Sequence, residues 1–401
     1  MYLKFFKIIA ILTLIIIFSG NAFAIENNNS QATNAINNFA FKTADLLSGN
    51  SDNDFFFSPF SIITAFGMVY AGSQNETAIE IQNALNLTPE IHENLGSLAN
   101  DLTEKSFYSA NKVWLNNDLK LLETYNNILK KYYSSEAALV DFNSKPNETK
   151  NIINDWVSKN TRNKIRNLIQ KIQPGTRMIL TNAVYFNAKW RKAFDKNKTQ
   201  KRPFKRFPDD SSNFEVDMMS KLDNFSYGEV DNSKIIRITY DIENRSFSFI
   251  AVLPPENWDN NFLKNINQEL FSKWLKSLKR HKVDLWLPKF KNEKRYELKY
   301  IFQQLGVKIA FTNSADFRGI AAKQNIIEPL KISEIIHQSF IEVDEEKTEA
   351  AAATAIGMMR ATSAPRPQLI IKEFHADRPF IYFIIDDDTN TILFMGKQTF
   401  K

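Results

Sequence analysis

Four histidines are the residues of this chain best suited to acid–base or metal chemistry at neutral pH. No two of them are close enough in sequence to indicate a metal cluster, and there is no cysteine for thiol catalysis, thiolate metal sites or disulfides. The zinc, phosphate-loop, dinucleotide-binding and nucleophile-elbow motifs are absent. A Ser/His/Asp triad that assembles only in the fold stays open. The sequence otherwise predicts no enzyme, no metal and no cofactor around His92, His281, His337 and His375.

A different capability is indicated by the segment EEKTEAAAATA at residues 345–355. Its alanines favour a helix, but a strand-like run, Ser339–Val343, precedes it and two prolines follow it. Read as a strand, the segment presents alternate side chains to opposite faces. One face is small and uncharged from Thr348 onward, while the other begins with three charged residues. Such a segment can slide between two existing strands without forcing a core apart.

The elements that would position such a strand are mainly helices early in the chain and strands later. Helical spacing covers residues 31–49, the region from Ser58, the range Glu76–Leu87 and the stretch after Leu121. Strand patterns cover Phe55–Phe57, ANKVWLNN, Arg177–Trp190, FSFIAVLPP and VDLWLPKF. A further helix, YELKYIFQQLGV, ends at Gly306, and a final hairpin turns at Asp387–Asn390. This order predicts an α+β fold without alternating βαβ units.

The first 24 residues, MYLKFFKIIAILTLIIIFSGNAFA, have the pattern of a secretory signal peptide. Two lysines precede an apolar run from Ile8 to Phe18, and cleavage is expected after Ala24. A membrane anchor would need about 20 apolar residues, more than this run contains, and no later stretch is long and apolar enough to span a bilayer. The mature protein is therefore predicted to be secreted, extracellular or periplasmic, with no membrane partner.

Several further motifs stand in a fixed order along the chain. They are FFFSPFSIITAFGMVYAGSQNETAIEI, LTNAVYFNAKW, LPKF, LGVKIAF, ADFRGI, FHADRPFIYFII and ILFMGK. Together with EEKTEAAAATA they resemble the serpin family over nearly all of the mature chain, residues 25–401. The resemblance implies the serpin fold, a single α+β domain with three β-sheets and about nine helices. It also implies an exposed reactive-centre loop, here about residues 345–372.

The resemblance further implies a monomeric, secreted suicide inhibitor of serine or cysteine proteases. In that mechanism the protease attacks the loop, an acyl-enzyme forms, and the cleaved loop inserts as a new strand before deacylation is complete. Two alternatives stay open. One is a non-inhibitory serpin that acts as a carrier, chaperone or storage protein, and the other is a secreted hydrolase with an unrecognised site.

Three groups of residues match functional segments of the family. The hinge, where insertion would begin, comprises Glu345, Glu346, Lys347, Thr348, Glu349, Ala350, Ala351, Ala352 and Ala353. The shutter, a polar cluster beneath the main sheet that governs its opening, comprises Ser58, Ser61, Asn182 and His337. The breach, where the loop first enters, comprises Trp190, Lys289 and Glu345. Each residue alone also has a simple structural interpretation, such as a helix cap for Ser58 or core packing for Trp190.

The reactive bond is expected between Ala361 and Thr362, by the family's spacing from Glu345. Ala361 would suit an elastase-like protease with a small primary pocket. Arg360 lies one residue earlier, and a trypsin-like enzyme would prefer the bond between Arg360 and Ala361. Lys347 departs from the family, which usually has glycine there, because glycine eases the backbone turn as insertion starts. Lysine could therefore shift the outcome toward ordinary cleavage.

Two basic stretches, Lys159–Arg166 and Lys196–Arg206, offer a polyanion-binding surface, although a solvated charged face explains them as well. Outside the leader, 49 basic side chains face 45 acidic ones, because two of the 51 basic residues are leader lysines. The mature protein is thus only mildly basic, and no nucleic-acid partner is indicated.

Overall fold

The computed structural model describes residues 31–48, 54–102, 106–206, 212, 214–242, 245–257, 261–322, 329–346 and 370–401. Within these ranges there are nine α-helices. They are α1 (31–48), α2 (Pro59–Tyr70), α3 (Asn75–Leu85), α4 (Ile91–Leu102), α5 (Glu123–Tyr133), α6 (Pro146–Asn160), α7 (Asn261–Lys264), α8 (Gln268–Ser277) and α9 (Lys299–Gln304).

The strands form three sheets in the part of the chain that is described. A ten-stranded sheet contains β1 (Phe55–Phe57), β6 (Lys189–Trp190), β7 (Gln200–Pro203), β8 (Glu215–Val230), β9 (Ser233–Asp241), β10 (Phe247–Leu253), β11 (Lys279–Pro288), β15 (Ile371–His375), β16 (Phe380–Asp386) and β17 (Ile392–Gln398). A five-stranded sheet contains, in chain order, β2 (Phe107–Asn116), β4 (Ala138–Val140), β5 (Met178–Phe186), β12 (Phe290–Glu297) and β14 (Glu334–Val343). A two-stranded sheet pairs β3 (Lys120–Leu121) with β13 (Ala321–Ala322). The expected α+β class, with three sheets and about nine helices, is confirmed.

Several predicted elements have different boundaries, and three of these differences have a clear structural reason. The strand predicted over Arg177–Trp190 stops at Phe186, because the chain crosses to the ten-stranded sheet, where Trp190 pairs with Tyr240 of β9. VDLWLPKF divides at Lys289 for the same reason, since β11 and β12 belong to different sheets. The helix predicted from Tyr296 begins only at Lys299, because β12 continues to Glu297, where it pairs with Ile336. Its end is as expected, since Gly306 has φ +108°, a conformation that favours glycine.

The five-stranded sheet lies between two hydrophobic cores. Along β14, Ile335 and Ile341 join the larger core, which also holds α2 and the ten-stranded sheet. Ile336 and Phe340 point the other way, into a smaller core with residues of α6 such as Ile153 and Val157. All twelve residues of α2 are buried, so this helix supports the sheet from within.

The strand order in that sheet is β12-β14-β5-β2-β4. β5 and β14 are neighbours and run parallel, paired from Ile179–Glu334 to Tyr185–Phe340. The remaining three residues of β14, Ile341 to Val343, pair with β12 only. We call the junction between β5 and β14 the seam, and its end beyond Tyr185 and Phe340 the open end.

Candidate functional site: the seam of the five-stranded sheet

The four shutter residues meet at the middle of the seam. Ser58 precedes α2 and caps it, accepting a hydrogen bond from the backbone N–H of Ser61 at 3.1 Å, and its hydroxyl donates to the carbonyl of Leu393 at 2.6 Å. The side-chain amide of Asn182 donates to the backbone carbonyl of Ser61 at 2.8 Å and to its hydroxyl at 2.6 Å. The start of α2 is thereby tied directly to β5.

His337 joins the two sides of the seam. The backbone N–H of Ser58 donates to its Nε2 at 3.2 Å, so Nε2 is the acceptor and Nδ1 carries the proton. Nδ1 then donates to Oδ1 of Asn182, its partner across the parallel pair. Complete burial lowers the pKa of His337 to about 3. A second proton would also face the Ser58 N–H, so the network is built for neutral imidazole.

Two members of this network, Asn111 and Ser109 of β2, were missed from the sequence. Asn111 pairs with Asn182 in register, and its Oδ1 accepts from Asn182 and, at 3.3 Å, from the hydroxyl of Ser61. The hydroxyls of Ser109 and Ser61 are 3.3 Å apart. The only signal in the sequence is that Ser109 and Asn111 are two residues apart and so share one face of a strand, and polar strand residues are usually solvated.

The breach residues lie together at the open end. The indole N–H of Trp190 donates to the carbonyl of Asp344 at 2.8 Å, and the ring stacks on Tyr240 at 4.6 Å between centroids. Trp190 is buried, so this one side chain both packs in the core and holds the chain as it leaves β14. The next carbonyl, of Glu345, accepts from the backbone N–H of Phe194 at 3.0 Å. These bonds fix the first residues after β14.

Glu345 is held by a half-exposed partner. Lys289 Nζ lies 2.8 Å from its carboxylate, and the hydroxyl of Thr199 donates to it at 2.6 Å. Burial alone would raise the pKa of Glu345, but the hydrogen bonds from Lys289 and Thr199 outweigh burial and hold it below its usual range. The Glu345 side chain is 5% exposed and that of Lys289 is 37% exposed, so solvent screens this pair more than a fully buried one.

Two cations of the first basic stretch contact three aromatic rings at the seam, next to its open end. Tyr185 of β5 and Phe340 of β14 are in edge contact, with centroids 5.4 Å apart, and Tyr108 stacks on Tyr185 at 5.7 Å. Lys164 lies over both seam rings, at 5.7 Å from Tyr185 and 5.2 Å from Phe340. Arg162 lies 4.1 Å from the centroid of Tyr108. Part of the first basic stretch therefore contacts the sheet as well as solvent.

The second basic stretch reaches the open end. Lys196 forms an ion pair with Glu346, the last described hinge residue. The other hinge residues, Lys347 to Ala353, lie outside the described residues, as do Arg360, Ala361 and Thr362 of the expected reactive bond and the leader, residues 1–24. The chain is described again from Ile370, which is 76% exposed, and continues as β15, parallel to β11 at a sheet edge. Because β15 begins at Ile371, the expected loop ends before residue 372.

The other three histidines make separate contacts. His92 contacts Tyr133, His281 lies beside Tyr227, and His375 pairs with Asp284 at 3.0 Å. Across the described residues no group of three or more histidine, aspartate or glutamate side chains could hold a metal ion. None of the described helices has the length and apolarity needed to cross a membrane.

Comparison with known proteins identifies one family. Residues 34–399 match the family model described as serpin (serine protease inhibitor). A serpin-like protein of Methanosarcina mazei, itself uncharacterized, is 38% identical over 95% of this chain and 92% of its own length. The mouse protein-Z dependent protease inhibitor superposes with a TM-score of 0.81 at 26% identity, covering 94% of this chain and 98% of that one. Human thyroxine-binding globulin, solved with thyroxine, gives 0.80 at 27% identity, covering 93% and 99%.

Proposed function

The chain belongs to the serpin family, and we propose that it is a suicide inhibitor of serine or cysteine proteases. The protease nucleophile would attack the carbonyl carbon of the reactive residue and form an acyl-enzyme, releasing the amine of the following residue. The freed loop would then insert at the seam and carry the protease away before water completes deacylation. Family members are protease inhibitors rather than enzymes, although some related proteins carry ligands instead.

One observation supports this proposal above the others, namely the construction of the seam. β5 and β14 are paired only to Tyr185 and Phe340, and the chain leaves β14 at that same end, beside Glu345. A strand of about 14 residues, beginning at Glu345 and rising roughly 3.3 Å per residue, would extend about 45 Å along the seam. That length is sufficient to move an attached protease from one end of the sheet to the other.

The reactive bond is proposed between Ala361 and Thr362, with the Arg360–Ala361 bond as the alternative. The first choice predicts an elastase-like target and the second a trypsin-like one. The peptide released on inhibition separates them by mass, because it begins at Thr362 in the first case and at Ala361 in the second.

The experiment that tests inhibition is incubation of the mature protein with elastase-like, trypsin-like and cysteine proteases, followed by denaturing gels. A covalent complex that survives denaturation is expected with at least one of them. A matched variant, Thr348→Arg, would place a charge in the sheet interior as insertion begins, so it should be cleaved without forming complex. Clean cleavage of the unmodified protein by every protease, with an unchanged melting temperature, would refute inhibition.

Lys347 favours a second candidate function, a non-inhibitory serpin that acts as a carrier, chaperone or storage protein. Lysine in place of the usual hinge glycine would slow the turn that starts insertion. Replacing it by glycine distinguishes the two functions. If slow insertion is the only obstacle, Lys347→Gly should convert cleavage into complex formation, whereas a carrier should be cleaved in both forms.

Secretion and polyanion binding complete the proposal. Residues 1–24 would direct export and be removed after Ala24, which the N-terminal sequence of the exported protein would establish. Lys159 and Lys164 are exposed to solvent, and this supports a sulfated-polysaccharide surface on the first basic stretch. Elution from heparin at low salt would exclude it.

A further inference from the structure

Arg177 is a buried cation at the end of the seam opposite the open end. The paired part of the seam begins where Ile179 faces Glu334, and we call that end the closed end. Arg177 lies two residues before Ile179, and its backbone N–H donates to the hydroxyl of Ser333 at 2.9 Å. The backbone N–H of Ser333 donates in turn to the carbonyl of Met178 at 2.9 Å. These bonds fix the backbone of Arg177 against the start of β14.

The guanidinium group of Arg177 is only partly used. Its Nη1 lies 2.7 Å from Oδ2 of Asp118, with which it forms an ion pair. Nε and Nη2 have no hydrogen-bond partner in the part of the chain that the structure describes, although the Arg177 side chain is only 4% exposed. Buried donors without acceptors cost free energy. The closed end therefore favours an added group that brings acceptor oxygens.

The pairing of an inserted strand decides which residues would reach Arg177. A chain that leaves β14 and folds back beside it pairs antiparallel, and directly paired side chains point to the same face. Val343 points into the larger core. The small, uncharged face of the loop consists of even-numbered residues from Thr348 onward, so Val343 would pair with an even-numbered residue. A turn over residues 344–347 meets this condition and pairs Val343 with Thr348.

This register brings the last residues before the expected reactive bond to the closed end. Each step back along β14 is one step forward along the loop, so Glu334 and its partner Ile179 would be level with Gly357. Arg177, two residues before Ile179, would be level with Met359. A turn shorter or longer by two residues changes Met359 to Gly357 or Ala361. Residues 357–361 lie outside the described residues, but every register of the required parity brings this segment to Arg177.

We propose that Arg177 holds the far end of the inserted loop, with Nε and Nη2 donating to backbone carbonyl oxygens among residues 357–361. The inference rests on the proposed insertion mechanism and assigns a positioning role in its last step to one side chain. Asp118 would remain bonded to Nη1 and keep the guanidinium group oriented. Because the two donors gain acceptors only when the strand arrives, they stabilise the inserted form relative to the native one.

The charge of Arg360 does not oppose this contact. Ile179 points into the smaller core, and Arg177, two residues earlier, belongs to the same side of the sheet. Even-numbered loop residues would face the larger core on the other side. The side chain of Arg360 would therefore point away from Arg177, while the backbone carbonyls of its neighbours remain within the plane of the sheet.

The test compares the native and cleaved forms of Arg177→Lys. Lysine can keep the ion pair with Asp118, but it lacks the fixed fork of guanidinium donors. A single cut between residues 357 and 362, located by mass, should raise the melting temperature of the unmodified protein. The rise should be about 4 °C smaller in Arg177→Lys, because two charge-assisted hydrogen bonds are lost from the inserted form alone. Its complex with a target protease should also release active protease about tenfold faster.

Asp118→Asn is the matched control, because it removes the ion pair and leaves Nε and Nη2 in place. It should lower the melting temperatures of the native and cleaved forms by similar amounts, so that the rise on cleavage is unchanged. Thr348→Arg supplies a second control from the other end of the loop. Since it should block insertion, adding Arg177→Lys to it should not alter the effect of cleavage.

The outcomes separate this inference from the proposed function. An equal rise in Arg177→Lys and in the unmodified protein would overturn the role of Arg177 and leave inhibition untouched. A smaller rise that Asp118→Asn shares would assign the effect to the ion pair and would overturn it as well. No rise in the unmodified protein would overturn insertion and this inference together. If Arg177→Lys does not fold, Arg177→Gln provides the same comparison.

Discussion

The middle of the seam and its open end are held closed by opposite kinds of interaction. At the middle, Asn182 and His337 are fully buried and joined by neutral hydrogen bonds. At the open end, Glu345 is bonded to Lys289, whose side chain is 37% exposed. Removing one member of a buried neutral network costs much free energy, because the remaining groups have no partner. In a partly solvated ion pair, water can replace the lost partner. The difference predicts that the seam separates first at the open end, beside the Lys289–Glu345 ion pair, and last at the middle, where Asn182 and His337 are hydrogen-bonded.

The largest effect is expected from Asn182→Ala. The change removes the partner of the His337 Nδ1–H, two bonds to Ser61 and one to Asn111. Buried groups left without partners should lower the free energy of unfolding by about 3 kcal/mol. Urea unfolding measures this loss, with Asn187→Ala as control, because Asn187 is only half-buried. A loss below about 1 kcal/mol would mean that the network relaxes around the gap.

Lys289→Gln should lower the free energy of unfolding by less, about 2 kcal/mol, although it removes one partner of an ion pair. Breaking a fully buried pair costs about 3–5 kcal/mol, but Glu345 keeps its bond from Thr199 and solvent reaches Lys289. Lys279→Gln, at an exposed position on β11, is the control. If Lys289→Gln proves as damaging as Asn182→Ala in the same urea titration, the open end is no weaker than the middle.

Acidification should separate the two regions without mutation. The folded pKa of His337 is about 3, far below the unfolded value of about 6.5, so only the unfolded chain takes up this proton between those pH values. Stability contributed by the neutral imidazole is complete above about pH 6.5 and falls by up to about 1.4 kcal/mol per pH unit below it. The pKa of Glu345 is also lowered, so its contribution is lost only below the unfolded value of about 4.3.

Between pH 6.5 and 5, then, the middle of the seam should respond and the open end should not. Burial lowers the pKa of His92 to about 4, so His92 adds a similar slope in this window. His337→Gln should therefore remove a large part of the pH dependence of the unfolding free energy in this window and leave the part that comes from His92. An unchanged slope in His337→Gln would contradict the neutral network.

The smallest effect is expected from Lys164→Gln, which acts between the two regions. Lys164 lies over Tyr185 and Phe340, the last paired residues before the open end. Losing an exposed cation–π contact should cost about 0.5–1 kcal/mol in unfolding free energy. Lys164→Gln should also speed complex formation with a target protease, because an inserting strand would have to separate the rings of Tyr185 and Phe340. Lys159→Gln is the control, and equal rates in both variants would remove Lys164 from the entry step.

Sequence patterns predicted the elements better than the contacts between them. Alternating or continuous apolar runs identified β5, β10 and the final hairpin. The spacing of apolar residues within one strand is enough to indicate which of its side chains are buried. They could not place the sheet crossings at Phe186 and Lys289, because those depend on strands far away in the chain. The four shutter residues were found only together, through family motifs. Asn111 was missed because its significance comes from facing Asn182, a relation that no local pattern carries.

The parallel arrangement of β5 and β14 also decides the direction of any added strand. A chain that leaves β14 and folds back beside it runs antiparallel to β14 and, since β5 points the same way, antiparallel to β5 as well. One ladder of seven parallel pairs would be replaced by two antiparallel ladders, with bonds perpendicular to the strands rather than slanted. The backbone amides of the added strand would replace hydrogen bonds to water with hydrogen bonds to protein on both sides. Reversal would require both ladders to break together, so an insertion of this kind would be irreversible.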